Sequence, residues 1–291
     1  METPHGGLWL GPERGFALDW ATQQWVKATG RRLAFDRTEW LQGPVGAVDR
    51  VGDGWLPVHA EAVGAVLRER DDAGLLPDMS VLDGQDFHVA SLRPEVREFY
   101  EHTARWRLDV WSQWSPLMRL GGVVLSALFA RRLQQLNLPL NALDVSHGMT
   151  SRVLEVVHGD GTVAGTAWIR TLRTTGDMVF GGYYGTTLLP AGRRAVRVVF
   201  PLPNGSVTVL LRPTVRSDGS LVLSSPRGAF GEEGAYLVVR RPGEAAGWVR
   251  RVPLPETFHV FVDDDGVLRT DHELRLWSAP VLRLHYRLNR T

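Results

Sequence analysis

RPEVREFYEHTARWRLDVWSQWSP, residues 93–116, runs directly into LMRLGGVVLSALFARRLQQLNLP, residues 117–139. Together they divide a mixed N-terminal third from a C-terminal half dense in strand signals. Pro94 suits the first helical position, where its missing N–H costs nothing, and Glu95 and Glu98 put negative charge at the positive end of the helix dipole. Val96, Phe99, Thr103, Trp106, Val110 and Trp114 recur at steps of three and four, which makes one mainly apolar stripe. Arg97, Glu101, Arg105 and Asp109 form an i, i+4 charge ladder on another side, while Tyr100, Leu108 and Trp111 widen the apolar sector. The spacing predicts a helix over 94–115, stopped by Pro116, because the residue before a proline avoids the helical region.

A second and more apolar helix is expected over 117–136, with Leu120, Val123, Val124, Ala127 and Leu128 along one side. Its uncharged run from Leu120 to Ala130 falls far short of the roughly 20 residues a membrane span needs. Arg119, Arg131 and Arg132 flank that run, so peripheral membrane contact is an alternative to the expected buried core helix.

After Pro139 the texture changes. Short runs of Val, Leu, Ile, Thr and aromatic residues alternate with turn signals, and strands are expected over 151–158, 163–173, 178–186, 195–202, 206–213, 220–225, 235–241, 247–252, 257–263, 267–277 and 281–288. Asp160-Gly161, Asn204-Gly205, Asp218-Gly219 and Asp265-Gly266 fall between them, the pairs that tight hairpins require. With Asn204-Gly205 as a two-residue loop, Leu202 faces Val207, Phe200 faces Val209 and Val198 faces Leu211, so turn and apolar pattern agree. Gly181, Gly182 and Gly185 interrupt a strand that carries Phe180, Tyr183 and Tyr184; glycines there bend a large sheet or admit a close approach by a ligand.

The fold class that follows is α+β. A large curved antiparallel sheet, an open barrel-like meander, packs against two central helices, with a mixed N-terminal region. The expected organisation is residues 1–90 packed on or appended to a main domain of 91–291. Within the first part, Asp19 opens a short helix that stops near Gly30, and His59 to about Arg70 reads as another.

Composition narrows the function classes. At 291 residues the chain buries a sizeable core, and 44% apolar with 22% charged residues is ordinary for a globular protein. A formal net charge of +1 gives no global field for nucleic acid. Lys27 is the single lysine, a bias that fits GC-rich bacterial codon usage. The absence of cysteine excludes disulfides, thiolate metal sites and a cysteine nucleophile. No basic-then-apolar leader opens the sequence, so a cytoplasmic protein is expected.

The last three strands carry the most chemistry. Asp264-Asp265-Gly266 fits a three-residue loop, which sets Phe258, Val260 and Val262 against His272, Thr270 and Leu268. A loop of Ser278-Ala279-Pro280 sets Leu276 against Leu282, Leu274 against Leu284 and His272 against Tyr286. One face then reads Phe258–His272–Tyr286 among leucines, and the other His259–Asp271–Arg287, with Glu273 opposite His285. His272 with Tyr286 makes a hydrogen-bonding pair in an apolar setting; His259 with Asp271 makes a carboxylate-oriented base. These four are the catalytic candidates. The simpler readings are a satisfied core histidine and a solvated charged row. Ser224-Ser225 and Ser146-His147 lack the strand–turn–helix setting of a nucleophile elbow, and no paired metal-ligand spacing occurs.

The function expected first is a binding protein for an apolar small molecule, lipid-, polyketide- or terpenoid-like, held between sheet and helices. Trp106, Trp111, Trp114, Tyr183, Tyr184, His272 and Tyr286 are the expected lining. A cofactor-free cyclase, isomerase or hydrolase using histidine is the second expectation, and a structural or protein-interaction domain the third. No cofactor, no metal and no nucleic-acid partner is expected.

Overall fold

The computed structural model describes residues 8–48, 52–115, 149–173, 176 and 178–291. Helices α1 (Ala17–Thr29), α2 (Trp55–Ala62) and α3 (Pro94–Glu101) accompany strands β1 (Arg31–Ala34), β2 (Ala65–Glu69) and β3 (Trp106–Trp114). The remainder is strand after strand: β4 (Met149–His158), β5 (Val163–Leu172), β6 (Met178–Leu188), β7 (Arg194–Leu202), β8 (Gly205–Val215), β9 (Leu221–Ser224), β10 (Gly234–Val239), β11 (Ala246–Val252), β12 (Glu256–Val262), β13 (Leu268–Leu276) and β14 (Ala279–Arg290). All eleven strands expected after residue 150 form, and the fold is α+β with one large, open, antiparallel sheet. No helix among the described residues is long and apolar enough to cross a membrane.

The helix expected over 94–115 is corrected by the structure. It ends at Glu101; after a short 3-10 turn at Thr103–Arg105, the chain becomes β3, paired with β14 from Trp106 to Trp114. Trp106, Val110 and Trp114 are four residues apart, a step that fits one helix face and equally one face of a strand. The intervening Arg107, Leu108 and Asp109 settle it, because Trp–Arg–Leu–Asp–Val alternates strictly. Thr103 marks the change: fully buried, it donates to the Phe99 carbonyl at 2.6 Å and accepts from Leu75 N–H at 3.2 Å, closing the helix end. The helix expected over 117–136 lies outside the described residues. The helix expected over 59–70 instead starts at Trp55 and ends at Ala62; Gly64 turns the chain at φ +66° and Ala65–Glu69 joins the sheet beside β4.

Strand order is β2-β4-β5-β6-β7-β8-β9-β12-β13-β14-β3, with a branch at β8. Gly205–Leu210 of β8 pairs with β10, which carries β11 and β1, whereas Arg212–Val215 pairs with β9. In a flat sheet β5 and β14, seven steps apart, would be about 34 Å apart at ~4.8 Å per strand. Instead the Arg170 guanidinium of β5 lies 6.0 Å from the Tyr286 ring of β14. The sheet is therefore strongly curled. Phe99 of α3 sits in the curl, edge-on to Trp106 of β3 at 6.1 Å and to Trp168 of β5 at 6.4 Å.

The concave face is filled along much of its length by the segment from Ala73 to Tyr100, in one core with Val198, Leu211, Leu223, Val260 and Leu288. The convex face is covered by Trp55 and Leu56 of α2 over Ile169 and Tyr183, and by Phe35, Trp40 and Leu41 over Leu210 and Tyr236. At the branch, Glu233 is 1% exposed and receives two hydrogen bonds from Arg193, at 3.0 and 2.9 Å, and two from Arg212, at 3.2 and 3.3 Å. Burial alone would raise its pKa; the two guanidinium groups outweigh that and hold it at about 2.

Two measurements test this framework. Phe99→Ala removes the ring between the two ends of the sheet and is expected to cost about 3–5 kcal/mol in urea melts; a loss below ~1 kcal/mol would show that the curl does not depend on it. Because the folded Glu233 titrates below its unfolded range, its contribution is complete above pH ~4.5 and is lost as the pH falls towards 2. Glu233→Gln is therefore expected to lower stability at neutral pH by about 2 kcal/mol, with both arginines still partly in water, and to flatten the acid limb of the stability–pH curve.

Candidate functional site

Alternation along β5 puts Thr166, Trp168 and Arg170 on the concave face, where the register sets Arg170 against Phe180 of β6 and Ser151 of β4. Arg170 is 6% exposed. Its guanidinium lies 5.4 Å from the Trp168 ring and 6.0 Å from the Tyr286 ring, and its Nε has no hydrogen-bond partner. Among the described residues no carboxylate forms an ion pair with it. Asp109, the carboxylate whose charge reaches it, is on the opposite face of β3 from Leu108 and Val110 and accepts from Asn289 Nδ2 at 3.3 Å. A cation that is buried without a counter-ion is costly, and burial accordingly pushes the Arg170 pKa down.

Two tyrosines face this cation. Burial pushes the Tyr286 hydroxyl up to about 12, with Arg170 working against it, and raises Tyr184 well above its ordinary value. Both hydroxyls therefore stay protonated at neutral pH. Glu256 and His272 complete the polar set: Nε2–H of His272 donates to Glu256 Oε2 at 3.3 Å, and the imidazole stacks on Phe258 with centroids 3.8 Å apart and planes at 16°. That contact leaves Nδ1 as the basic nitrogen. Phe180, Tyr184, Phe258, His272 and Tyr286 all lie on the inward face yet keep accessible surface.

The β12–β13 register is the expected one, with Phe258 opposite His272, His259 opposite Asp271 and Val260 opposite Thr270. The β13–β14 register is shifted by two. Its loop is Trp277-Ser278, with Trp277 at φ +51°, not Ser278-Ala279-Pro280, so His272 pairs with Leu284 and Tyr286 with Thr270. The segment before β12 fixes this loop, since Pro253 O accepts from Trp277 N–H at 2.8 Å and Pro255 O from Arg275 N–H at 3.0 Å. A shift of two conserves the face, so His272 and Tyr286 are diagonal neighbours on the concave side.

The expected outer row His259–Asp271–Arg287 becomes His259–Asp271–His285, and Glu273 stands opposite Arg283 rather than His285. Asp271 bonds His285 Nδ1 at 2.6 Å, while His259 Nε2 meets Ser220 Oγ at 2.9 Å, and that hydroxyl donates to Asp218 at 2.6 Å. His259 and Asp271 thus do not form the oriented base. Trp106 is buried on the inner face and Trp114 lies there opposite Leu282, but Trp111 is 50% exposed on the outer face next to His285. Tyr183 is also turned away from Tyr184: it lies on the convex side, against His59 at 4.7 Å and Trp55 at 6.2 Å. Neighbouring strand residues face opposite sides, which removes Trp111 and Tyr183 from the lining.

Sequence reading missed Arg170 and Glu256. The signal for Arg170 was present in TAWIRTL, where a charged residue shares the strand face of Trp168. No protein-family model, curated protein or solved structure matches the chain. If Arg170 is an unpaired buried cation, Arg170→Met, close in volume, is expected to stabilise the protein by about 1–3 kcal/mol in thermal or urea melts. Destabilisation would mean that the guanidinium has a structural counter-charge.

Proposed function

We propose that the protein binds a small amphipathic acid, an apolar lipid-, polyketide- or terpenoid-like body carrying one anionic head. The head is placed at Arg170 and the Tyr184 and Tyr286 hydroxyls, and the body along the aromatic concave wall. The observation that carries this reading is the guanidinium at 6% exposure with, among the described residues, an unused Nε and no carboxylate paired to it. An anion entering there gains a charge-assisted hydrogen bond in a setting of low dielectric and relieves a desolvated cation. The tyrosine hydroxyls, held protonated, donate to the same head.

A second reading rests on the His272–Glu256 contact in the same interior. A carboxylate-oriented imidazole beside bound substrate is a general base, and the protein is then a cofactor-free isomerase, cyclase or hydrolase acting on such an acid.

Paired probes test the first reading. Dodecanoate is expected to bind at least about tenfold more tightly than dodecanol by calorimetry, since a charged hydrogen bond contributes about 1.5–3 kcal/mol. Arg170→Met is expected to abolish that difference. Equal affinities for the two probes in the wild-type protein would refute the reading. For the second, native mass spectrometry of protein from its own host is the measurement: a co-purifying acid that changes mass with wild-type protein and not with His272→Phe supports catalysis.

A further inference from the structure

A cleft of about 650 Å³ lies on the other side of the molecule, between α1, the end of β10 and the β7–β8 turn. Five of its lining side chains are basic and two, Glu13 and Glu244, are acidic. Arg14, Lys27, Arg32 and Arg241 are exposed, whereas Arg240 is half-buried and two amides lie deeper, Gln23 at 8% and Asn204 at 7% exposure.

The deep groups are not used up by the fold. Asn204 spends its backbone groups on Gly46 O at 3.2 Å and on Arg240 N–H at 2.9 Å, while its side-chain amide makes no hydrogen bond among the described residues. Gln23 uses one N–H, on Pro203 O at 3.0 Å. Arg240 lies over the Phe35 ring at 4.6 Å and is tied to Gly43 O at 3.4 Å, and its Nε is buried with no acceptor among the described residues. Burial pushes its pKa down, with Glu244 opposing. A fixed, part-desolvated guanidinium beside two deep amide donors, under an excess of exposed arginines, is the donor set that an oxyanion of high charge takes up.

We propose that this cleft binds a small phosphorylated molecule, with a phosphate on the Arg240 guanidinium and the Asn204 and Gln23 amides and the remaining charge met by Arg14 and Arg241. Its volume falls within the range of about 300–1,000 Å³ that small-molecule sites occupy. Trp20 and Trp248 in the lining report on occupancy.

The test uses the full chain and inorganic pyrophosphate as probe, followed by calorimetry and tryptophan fluorescence. One saturable site is expected. Asn204→Gly, which keeps the turn because Asn204 sits at φ +52°, and Arg240→Gln are each expected to weaken it about tenfold, the effect of one charge-assisted hydrogen bond. Arg170→Met is expected to leave it unchanged, so this outcome and that of the interior site are read separately. Absence of saturation at millimolar probe overturns the proposal, as does an affinity that Asn204→Gly and Arg240→Gln leave intact, which would mark diffuse surface charge. Should Arg240→Gln fail to fold, Asn204→Gly alone decides between these outcomes.

Discussion

The curl of the sheet is the constraint on which the rest depends. An open antiparallel sheet of this width leaves its two ends far apart unless something holds them together. Here α3 offers Phe99 to Trp168 from one end and to Trp106 from the other. The packing explains why α3 is short. A helix continuing to residue 115 would take Trp106 away from Phe99 and leave β14 without its outer partner along nine residues. Nine paired positions, with Trp106, Leu108 and Val110 buried on the inner face, outweigh the local preference of a dozen residues for helix. Tertiary pairing overrides the periodicity.

Curling also creates the electrostatic tension of the interior. It turns the concave face of β5 towards that of β14, so Arg170 meets Tyr286 and the Trp168 ring in place of water. Cation–π contacts with two rings recover about 1–2 kcal/mol each when desolvated, and the desolvation of an unpaired guanidinium costs several. Among the described residues the balance at Arg170 is unfavourable. A fold selected for stability alone would place methionine or leucine there. Glu256 does not relieve the strain, since it is engaged with His272 on β13 and is not in ion-pair contact with Arg170. Local rules broken in this way, with no compensation among the described residues, are where function is sought.

Much of this was legible in the sequence wherever pattern and turn chemistry acted together. The β12–β13 hairpin was, because Asp264-Asp265-Gly266 and the alternation on both sides allow one register. The β7–β8 and β13–β14 hairpins were legible only to the level of the face. In both, the loop sits one residue earlier than glycine or proline suggests, with Asn204 and Trp277 taking positive φ. Pro203 before Asn204 is the combination a type II turn favours, a signal hidden behind the Asn-Gly pair. Trp277 gave none, because its turn is set by Pro253 and Pro255 some twenty residues earlier. Tyr183 and Trp111 show the other limit. Apolar character marks a residue for burial or contact, but only the strand's parity against a known neighbour says on which side. Arg170 needed the curl, a property of eleven strands together.

Gly205 connects the interior to the cleft. A Cβ there would lie 2.0 Å from Val238 O, so only glycine lets β10 approach β8 closely enough to pair along 205–210. That approach turns β10, β11 and β1 away from the main path and leaves Arg212–Val215 free to pair with β9. Without the departure β9 would have no edge to join, the path through β12 to β14 would not continue, and Tyr286 would not come round to Arg170. The same departure carries Arg240 past the end of β10 to Asn204, whose carbonyl takes its N–H. One close backbone contact thus places two guanidinium groups whose Nε has no partner among the described residues, one inside the curl and one beside the branch that the curl requires.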